Sequence, residues 1–170
     1  MDKIIDRLWL GNLDDGRHAH DRLFPPDTIL NVSQYAYESP LRVSHKTIQD
    51  EVFHDAKVWQ QLVTRLYALH GKTNDVVLVH CRLGVSRAPA LVAAYLAYCG
   101  YSRDVDHALV EVMKKRATSD PHTETWRGVR AWWAQSRGIK QATVADVARM
   151  HGFPEVPLHI QQENFDDATL

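Results

Sequence analysis

The sequence predicts an α/β domain in which helices cover a small central sheet whose strands are largely parallel. Short apolar segments suited to strands occur early in the 170-residue chain and are interleaved with helical segments, while most of the C-terminal half has helical periodicity. The apolar run Val76–Val79, followed by a glycine-containing loop and then an apolar helix, is the most informative of these segments. Open α/β sheets bind ligands at the C-terminal ends of their strands, so this loop is the first candidate for a functional site.

Four segments have the composition of strands. Ile4–Leu10 alternates enough to predict an edge strand that ends at Gly11, and Thr28–Val32 follows a pair of prolines that break the chain. Val43–Ile48 is the third candidate and precedes an acidic turn. Val76–Val79 contains four branched apolar residues without alternation, which predicts a central strand buried on both faces.

Helical patterns fill most of the remaining chain. Asp55 is suited to cap a helix that extends to about Leu69. The segment Arg87–Cys99 is apolar on nearly all sides, which predicts an internal helix. Asp104–Arg116 predicts an amphipathic helix with Met113 among its inward-facing residues.

A further helix is predicted to begin at Asp120-Pro121, with its tryptophans in the core. We expect residues 1–138 to form one domain, because a chain of this length buries a sizeable core. Residues 139–170 are expected to form a C-terminal extension with a short helix, Thr143–Met150, and a polar acidic tail.

The composition limits the compartment and the partners. The formal net charge of −1 gives no electrostatic reason to expect nucleic acid or a membrane as the main partner. Cys81 and Cys99 would lie at opposite ends of a helix about 18 Å long, beyond disulfide reach. A lone thiol and an N-terminus without a signal-like apolar region predict the cytoplasm. The sequence leaves the oligomeric state open.

The loop between the central strand and the internal helix combines an anion site with a nucleophile. Gly84 allows the backbone to turn inward, and the amides that precede the helix favour an anion there. Arg87 can grip two oxygens of a phosphate, and the same positive environment favours Cys81 as a thiolate. This combination suits attack on a phosphate monoester. The predicted phosphate-binding residues are Arg82, Leu83, Gly84, Val85, Ser86 and Arg87.

The segment His80–Arg87 resembles the active-site loop His-Cys-x-x-Gly-x-x-Arg of the cysteine-dependent protein phosphatases. Over roughly residues 4–136 the chain looks most like their dual-specificity branch, including the opening Ile5–Gly11 and the stretch Val112–Arg116. The resemblance implies a phosphatase-type strand–loop–helix active site and hydrolysis of phosphoproteins through a phosphocysteine. It also implies that no metal or other cofactor is needed. His80 is expected to anchor the loop by hydrogen bonds and to favour the thiolate.

The family uses an aspartate about 30 residues before the cysteine as general acid. Asp50 lies 31 residues before Cys81 and is our choice for this role. Glu51 and Asp55 are alternatives, although Asp55 is better explained as a helix cap.

One position departs from the family pattern. The residue after the loop arginine is usually Ser or Thr, whose hydroxyl assists the sulfur as it leaves, but here it is Ala88. Ser86 or a water molecule could substitute for that hydroxyl. The departure keeps open an alternative function, a phosphate-binding interaction module with weak or vestigial activity. A second alternative is a phosphatase that acts on a non-protein phosphate ester. We find no separate tyrosine-recognition loop, which predicts a shallow pocket open to phosphoserine and phosphothreonine as well as phosphotyrosine.

Overall fold

The computed structural model of the chain describes residues 1–136, within which five strands form one sheet in the order β1-β2-β5-β3-β4. Three of the four strand pairs are parallel, and only β1 with β2 is antiparallel. This sheet, flanked by helices, confirms the predicted fold class. The strands are β1 Asp2–Ile5, β2 Leu8–Gly11, β3 Thr28–Asn31, β4 Arg42–His45 and β5 Val77–His80.

The N-terminal segment forms a hairpin, so the prediction of a single edge strand over Ile4–Leu10 is wrong. The chain reverses at Arg7, whose φ of 56° lies in the left-handed region, and its guanidinium donates to the Thr73 carbonyl at 2.8 Å. β1 takes the edge, while β2 pairs with β5 inside the sheet. No glycine or proline marks this turn, and the apolar alternation resumes directly after it, so local pattern could not reveal the reversal.

β5 occupies the centre of the sheet, as its unalternating apolar run predicts. It pairs in parallel with β2 on one side and β3 on the other, and all four of its residues are buried. Cys81 follows β5 directly and therefore lies at the carboxyl edge of the sheet. Ligands of open α/β folds bind at this edge.

Within residues 1–136, five α-helices accompany the sheet. Asp55 caps α2 as predicted, since its carboxylate accepts from the Val58 amide at 3.0 Å. A single π-helical turn, Tyr67–Gly71, then extends α2 to about the predicted end. The helices are α1 Leu13–Arg17, α2 Ala56–Leu66, α3 Arg87–Tyr98, α4 Val105–Lys115 and α5 over residues 123–136.

The internal helix α3 is the centre of the core. All of its residues from Arg87 to Ala97 are buried, and it packs against both α2 and α4. On α4 the buried residues are Val105, Ala108 and Val112, whereas Met113 is 42% exposed, so its predicted inward position is wrong. Met113 lies about 100° around the helix from Val112, which takes it off the buried stripe.

Residues Met1–Gln135 form one compact unit. The second unit is Ser136–Leu170, and of it only Ser136 belongs to the described residues. The predicted extension over 139–170, with its helix Thr143–Met150, therefore also lies outside them. None of the helices over residues 1–136 combines the length and hydropathy that crossing a membrane requires.

Candidate active site

The loop between β5 and α3 folds into a tight cup with Cys81 at its start and Arg87 at its end. Both residues are almost completely buried, with 1% of each exposed. Gly84 has a φ of +69°, and a Cβ at this position would lie 2.5 Å from the Gly11 carbonyl oxygen. The close approach and the left-handed backbone both require glycine here.

Hydrogen-bond donors from outside the loop fix the orientation of its carbonyl groups. The Leu13 amide donates to the Arg82 carbonyl at 3.0 Å, and Arg116 Nε donates to the Gly84 carbonyl at 2.9 Å. The Asp120 amide bonds the Val85 carbonyl at 2.8 Å.

These contacts fix the direction of the loop amides. No peptide bond among the described residues is cis, and in a trans peptide the N–H points away from the carbonyl. The amides of Leu83, Val85 and Ser86 therefore point away from the outer anchors. These three residues line the cleft beside Cys81, so their amides are available to an anion there.

The imidazole ring of His80 is neutral and orients the Cys81 carbonyl group. Its Nδ1 lies 3.2 Å from the Cys81 carbonyl oxygen, and its Nε2 lies 2.7 Å from the Tyr37 hydroxyl. Burial lowers the pKa of His80 to about 4 and raises the pKa of Tyr37 to about 12. The carbonyl only accepts, so Nδ1 carries the proton and Nε2 accepts from Tyr37. At neutral pH His80 therefore has no charge with which to favour the thiolate, and its contacts with the loop and with Tyr37 are these two hydrogen bonds.

The buried state of His80 gives a prediction for stability against pH. The unfolded chain binds a proton at the ordinary histidine pKa near 6.5, whereas the folded chain does so only near 4. Stability is therefore fully present above pH 6.5 and is lost as the pH falls toward 4. Lowering the pH from 7 to 5 should cost about 2 kcal/mol through this group. Urea unfolding at both pH values, in the wild type and in His80→Gln, checks it. Equal losses in the two proteins would contradict the assignment, since other acidic and histidine groups titrate in both.

Arg87 is held by two acceptors and keeps one N–H unused. Its Nη1 donates to Gln34 Oε1 at 2.7 Å and to the Ile48 carbonyl at 3.1 Å. Its Nε is buried and makes no hydrogen bond, although Asp50 Oδ2 lies 3.1 Å away as an ion-pair partner out of line with the N–H. A buried donor without an acceptor is costly, and an oxyanion in the cleft would satisfy it.

Asp50 lines the same cleft as Cys81, and its carboxylate lies against the buried Arg87. Its Oδ1 accepts from the Ser86 hydroxyl at 2.9 Å and from the Glu51 amide at 3.2 Å. The side chain is 34% exposed, so the carboxylate meets both the loop and solvent. Asp55, in contrast, is committed to the cap of α2. The fold therefore brings Asp50 to the cleft of Cys81 and against Arg87.

Of the six predicted phosphate-binding residues, three line the cleft, whereas Arg82, Gly84 and Arg87 are not in its lining. Leu83, Val85 and Ser86 line a cleft of about 320 Å³ together with Cys81. The exposed Arg82 instead lies over the Tyr35 ring, with its guanidinium carbon 5.7 Å from the ring centroid. Gly84 is buried against Gly11 and contributes backbone only. The complete lining is Asp50, Glu51, Cys81, Leu83, Val85, Ser86, Asp120, Pro121, His122 and Thr123.

Sequence reasoning missed the residues that hold the loop from outside. Gln34 and Tyr37 lie in the segment after β3 and bond Arg87 and His80, while Arg116 spans from Gly84 to Asp2 Oδ2, 2.5 Å away. Gln34 and Tyr37 carry no local signal, because their partners lie more than 40 positions away. Within residues 1–136 no group of three or more His, Cys, Asp or Glu side chains could hold a metal ion.

Comparison with known proteins confirms the resemblance stated from the sequence. Protein 123R of Invertebrate iridescent virus 6 is 32% identical over 95 residues, and the dual specificity protein phosphatase OPG106 of Vaccinia virus is 27% identical over 99 residues. The matches cover 55% and 56% of this chain and 65% and 58% of those proteins. The chain thus spans about three fifths of the length of these relatives. No protein-family model matches it.

Solved structures show that the fold is that of dual-specificity phosphatases. Human DUSP28 superposes with a TM-score of 0.72 at 16% identity, over 82% of this chain and 99% of that one. The human tyrosine phosphatase-like serine/threonine/tyrosine-interacting protein superposes with a TM-score of 0.64 at 18% identity, over 79% of this chain and 96% of that one. Since the second protein is named as an interacting protein, the fold is shared beyond proteins named as phosphatases.

Proposed function

We propose that this chain, which is similar in sequence and fold to dual-specificity phosphatases, hydrolyses phosphate monoesters on proteins through a phosphocysteine intermediate. The observation that carries the proposal is the meeting of three groups, two of which line one cleft while the third, Arg87, is buried against Asp50. These are Cys81 in a cup of inward-facing amides, Arg87 with an unused buried N–H, and the carboxyl group of Asp50. They supply a nucleophile, an oxyanion site and a proton donor.

In the first step the Cys81 thiolate attacks phosphorus and an S–P bond forms as the P–O bond to the protein substrate breaks. Arg87 and the loop amides hold the three equatorial oxygens, which is where phosphoryl transfer needs electrostatic stabilisation. The leaving oxygen takes a proton from Asp50. Asp50 Oδ2 lies 3.1 Å from Arg87 Nε in the ligand-free site, so the bound phosphate replaces the carboxylate as the partner of this N–H.

In the second step Asp50, now ionised, takes a proton from a water molecule that attacks phosphorus. The S–P bond breaks, its electron pair returns to Cys81 as thiolate, and inorganic phosphate leaves. One difficult displacement is thereby divided into two easier ones.

The charges at the cleft favour a phosphoprotein over a polyanionic substrate. Asp50, Glu51 and Asp120 line it, and its lining among the described residues includes neither lysine nor arginine. A phosphoinositide or an RNA 5′ end would bring additional negative charge against these carboxylates. We propose phosphotyrosine and phosphoserine or phosphothreonine side chains as substrates, residues 1–138 as the catalytic domain and the cytoplasm as the compartment, which suits a lone reactive thiol.

Catalytic turnover by the full chain tests the proposal. The wild type should release many equivalents of phosphate per chain from para-nitrophenyl phosphate and from phosphotyrosine and phosphoserine peptides. A phosphoinositide and a 5′-triphosphorylated RNA serve as comparison substrates and should be hydrolysed more slowly. Binding of the peptides without more than one equivalent of phosphate released would favour the interaction module instead.

Ala88 is the feature that favours the module, and it gives a prediction of its own. Ala88 is fully buried in the first turn of α3, and the nearby Ser86 hydroxyl is already bonded to Asp50. The departing sulfur of Cys81 therefore lacks the usual hydroxyl, and a hydrogen bond to a charged group contributes about 1.5–3 kcal/mol. Its absence should slow phosphocysteine hydrolysis by about ten- to a hundredfold.

Ala88→Ser should consequently raise kcat, and it should remove the burst of leaving group that we expect before steady turnover in the wild type. Rapid-mixing measurements with para-nitrophenyl phosphate report both quantities. A wild type without a burst, together with an unchanged kcat in Ala88→Ser, would show that another group already assists the sulfur.

A further inference from the structure

The Ser86 hydroxyl joins three segments around the cleft. It donates to Asp50 Oδ1 at 2.9 Å, and the His122 amide lies 3.2 Å from its oxygen. A backbone N–H can only donate, so the hydroxyl oxygen accepts from His122. The single hydroxyl proton is then free to bond the carboxylate. The direction of both hydrogen bonds is therefore fixed by chemistry.

We propose that Ser86 is a positioning residue that selects the oxygen of Asp50 that delivers the proton. This inference rests on the proposed function, in which Asp50 is the general acid. Oδ1 accepts from the Ser86 hydroxyl and from the Glu51 amide, whereas Oδ2 faces Arg87 Nε, where the phosphate would bind. Once the phosphate has replaced Oδ2 as the partner of Arg87 Nε, the protonated carboxyl group carries its proton on Oδ2, because Oδ1 still accepts two hydrogen bonds. Oδ2 is thus both the protonated oxygen and the one nearest the phosphate site.

The backbone beside Asp50 explains why an external contact is needed. Glu51 has a φ of 61°, a conformation that non-glycine residues rarely adopt, and it lies in an exposed turn. Such strain persists only where surrounding contacts hold it. The Ser86 bond ties this turn to a loop that is itself fixed by Arg116 and Asp120. Without that bond the carboxyl group of Asp50 could leave its place over the cleft.

Ser86 itself gains and loses no proton in the reaction. In the first step the P–O bond breaks and the leaving oxygen takes the proton of Asp50 Oδ2. In the second step the same oxygen takes a proton from the attacking water. The Ser86 hydroxyl donates to Oδ1 throughout, so its effect passes through Asp50 alone.

Ser86→Ala tests this role because it keeps the loop amide and removes only the hydroxyl. We expect kcat/KM to fall about tenfold for a phosphoserine peptide, whose leaving oxygen needs the proton, and to change little for para-nitrophenyl phosphate. kcat/KM is the suitable quantity because it reports the first chemical step even when the second is slow. Ser86→Thr should retain the wild-type values. In an Asp50→Asn background, Ser86→Ala should have no further effect.

The controls separate this inference from the proposed function. Ser102→Ala removes a hydroxyl that contacts His107 Nδ1 at 2.9 Å outside the cleft, and it should leave both substrates unaffected. Equal losses on the two substrates, or no loss, in Ser86→Ala would overturn the inference. If Ser86→Ala does not fold, the pair Ser86→Thr and Ser86→Val gives the same comparison of side chains with and without the hydroxyl. Absence of turnover in the wild type would instead refute the proposed function.

Discussion

Cys81→Ser should reduce phosphate release by roughly three orders of magnitude or more on every substrate, the largest effect that we expect from any substitution. A serine hydroxyl is not ionised near neutral pH, so the variant lacks the thiolate nucleophile of the proposed mechanism. The replacement differs by a single atom and occupies nearly the same buried volume. Binding of a phosphotyrosine peptide should therefore persist while kcat is lost. Steady-state kinetics and calorimetric titration of the variant measure the two quantities.

The second cysteine provides a matched control. Cys99 lies at the C-terminal cap of α3, at the far end of the helix from the loop, and Cys99→Ser should keep wild-type kinetics. Iodoacetate should likewise inactivate the wild type and Cys99→Ser equally, with alkylation at Cys81 detected by mass spectrometry. Substantial turnover by Cys81→Ser would mean that another group attacks phosphorus and that the cup has a different role.

Asp50→Asn should lower kcat/KM by about 10²–10⁴-fold for a phosphoserine peptide, the range over which general acids contribute. For para-nitrophenyl phosphate the loss in kcat/KM should be much smaller, because para-nitrophenolate leaves without a proton. The amide retains the shape of the side chain and the bond from Ser86 but cannot deliver a proton. Measurement of both substrates over pH 5–8 in the two proteins checks the prediction.

Asp55→Asn is the matched control for removal of a carboxylate, since asparagine also caps helices and α2 should remain intact. It should leave both substrates unaffected. Glu51→Gln tests the neighbouring alternative at the cleft. An equal loss of kcat/KM on both substrates in Asp50→Asn would assign Asp50 a structural role. A loss in Glu51→Gln that depends on the leaving group would identify Glu51 as the general acid.

The sequence by itself determined the parts of this protein that depend on local pattern. The unalternating run before Cys81 identified the central strand, and the apolar composition of Arg87–Tyr98 identified the internal helix. Both predictions follow from periodicity, because the spacing of apolar residues along a strand or helix indicates which of its faces are buried. The loop motif carried the candidate nucleophile and arginine, and the resemblance to a known family added Asp50 by its spacing from Cys81.

Only the tertiary structure decided how these parts are held. The hairpin at Arg7 lacks a turn signal in the sequence. The hydrogen bond from Arg116 to the loop and the contact of Gln34 with Arg87 join segments that are distant along the chain. The role of Ser86 was also open, since a hydroxyl near Cys81 could have faced the sulfur, whereas it bonds Asp50. Hydrogen bonds between polar side chains leave no periodic trace in a sequence, because their partners are chosen by distance in space. The residues of the candidate site could therefore be predicted from the sequence, whereas their orientation required the fold.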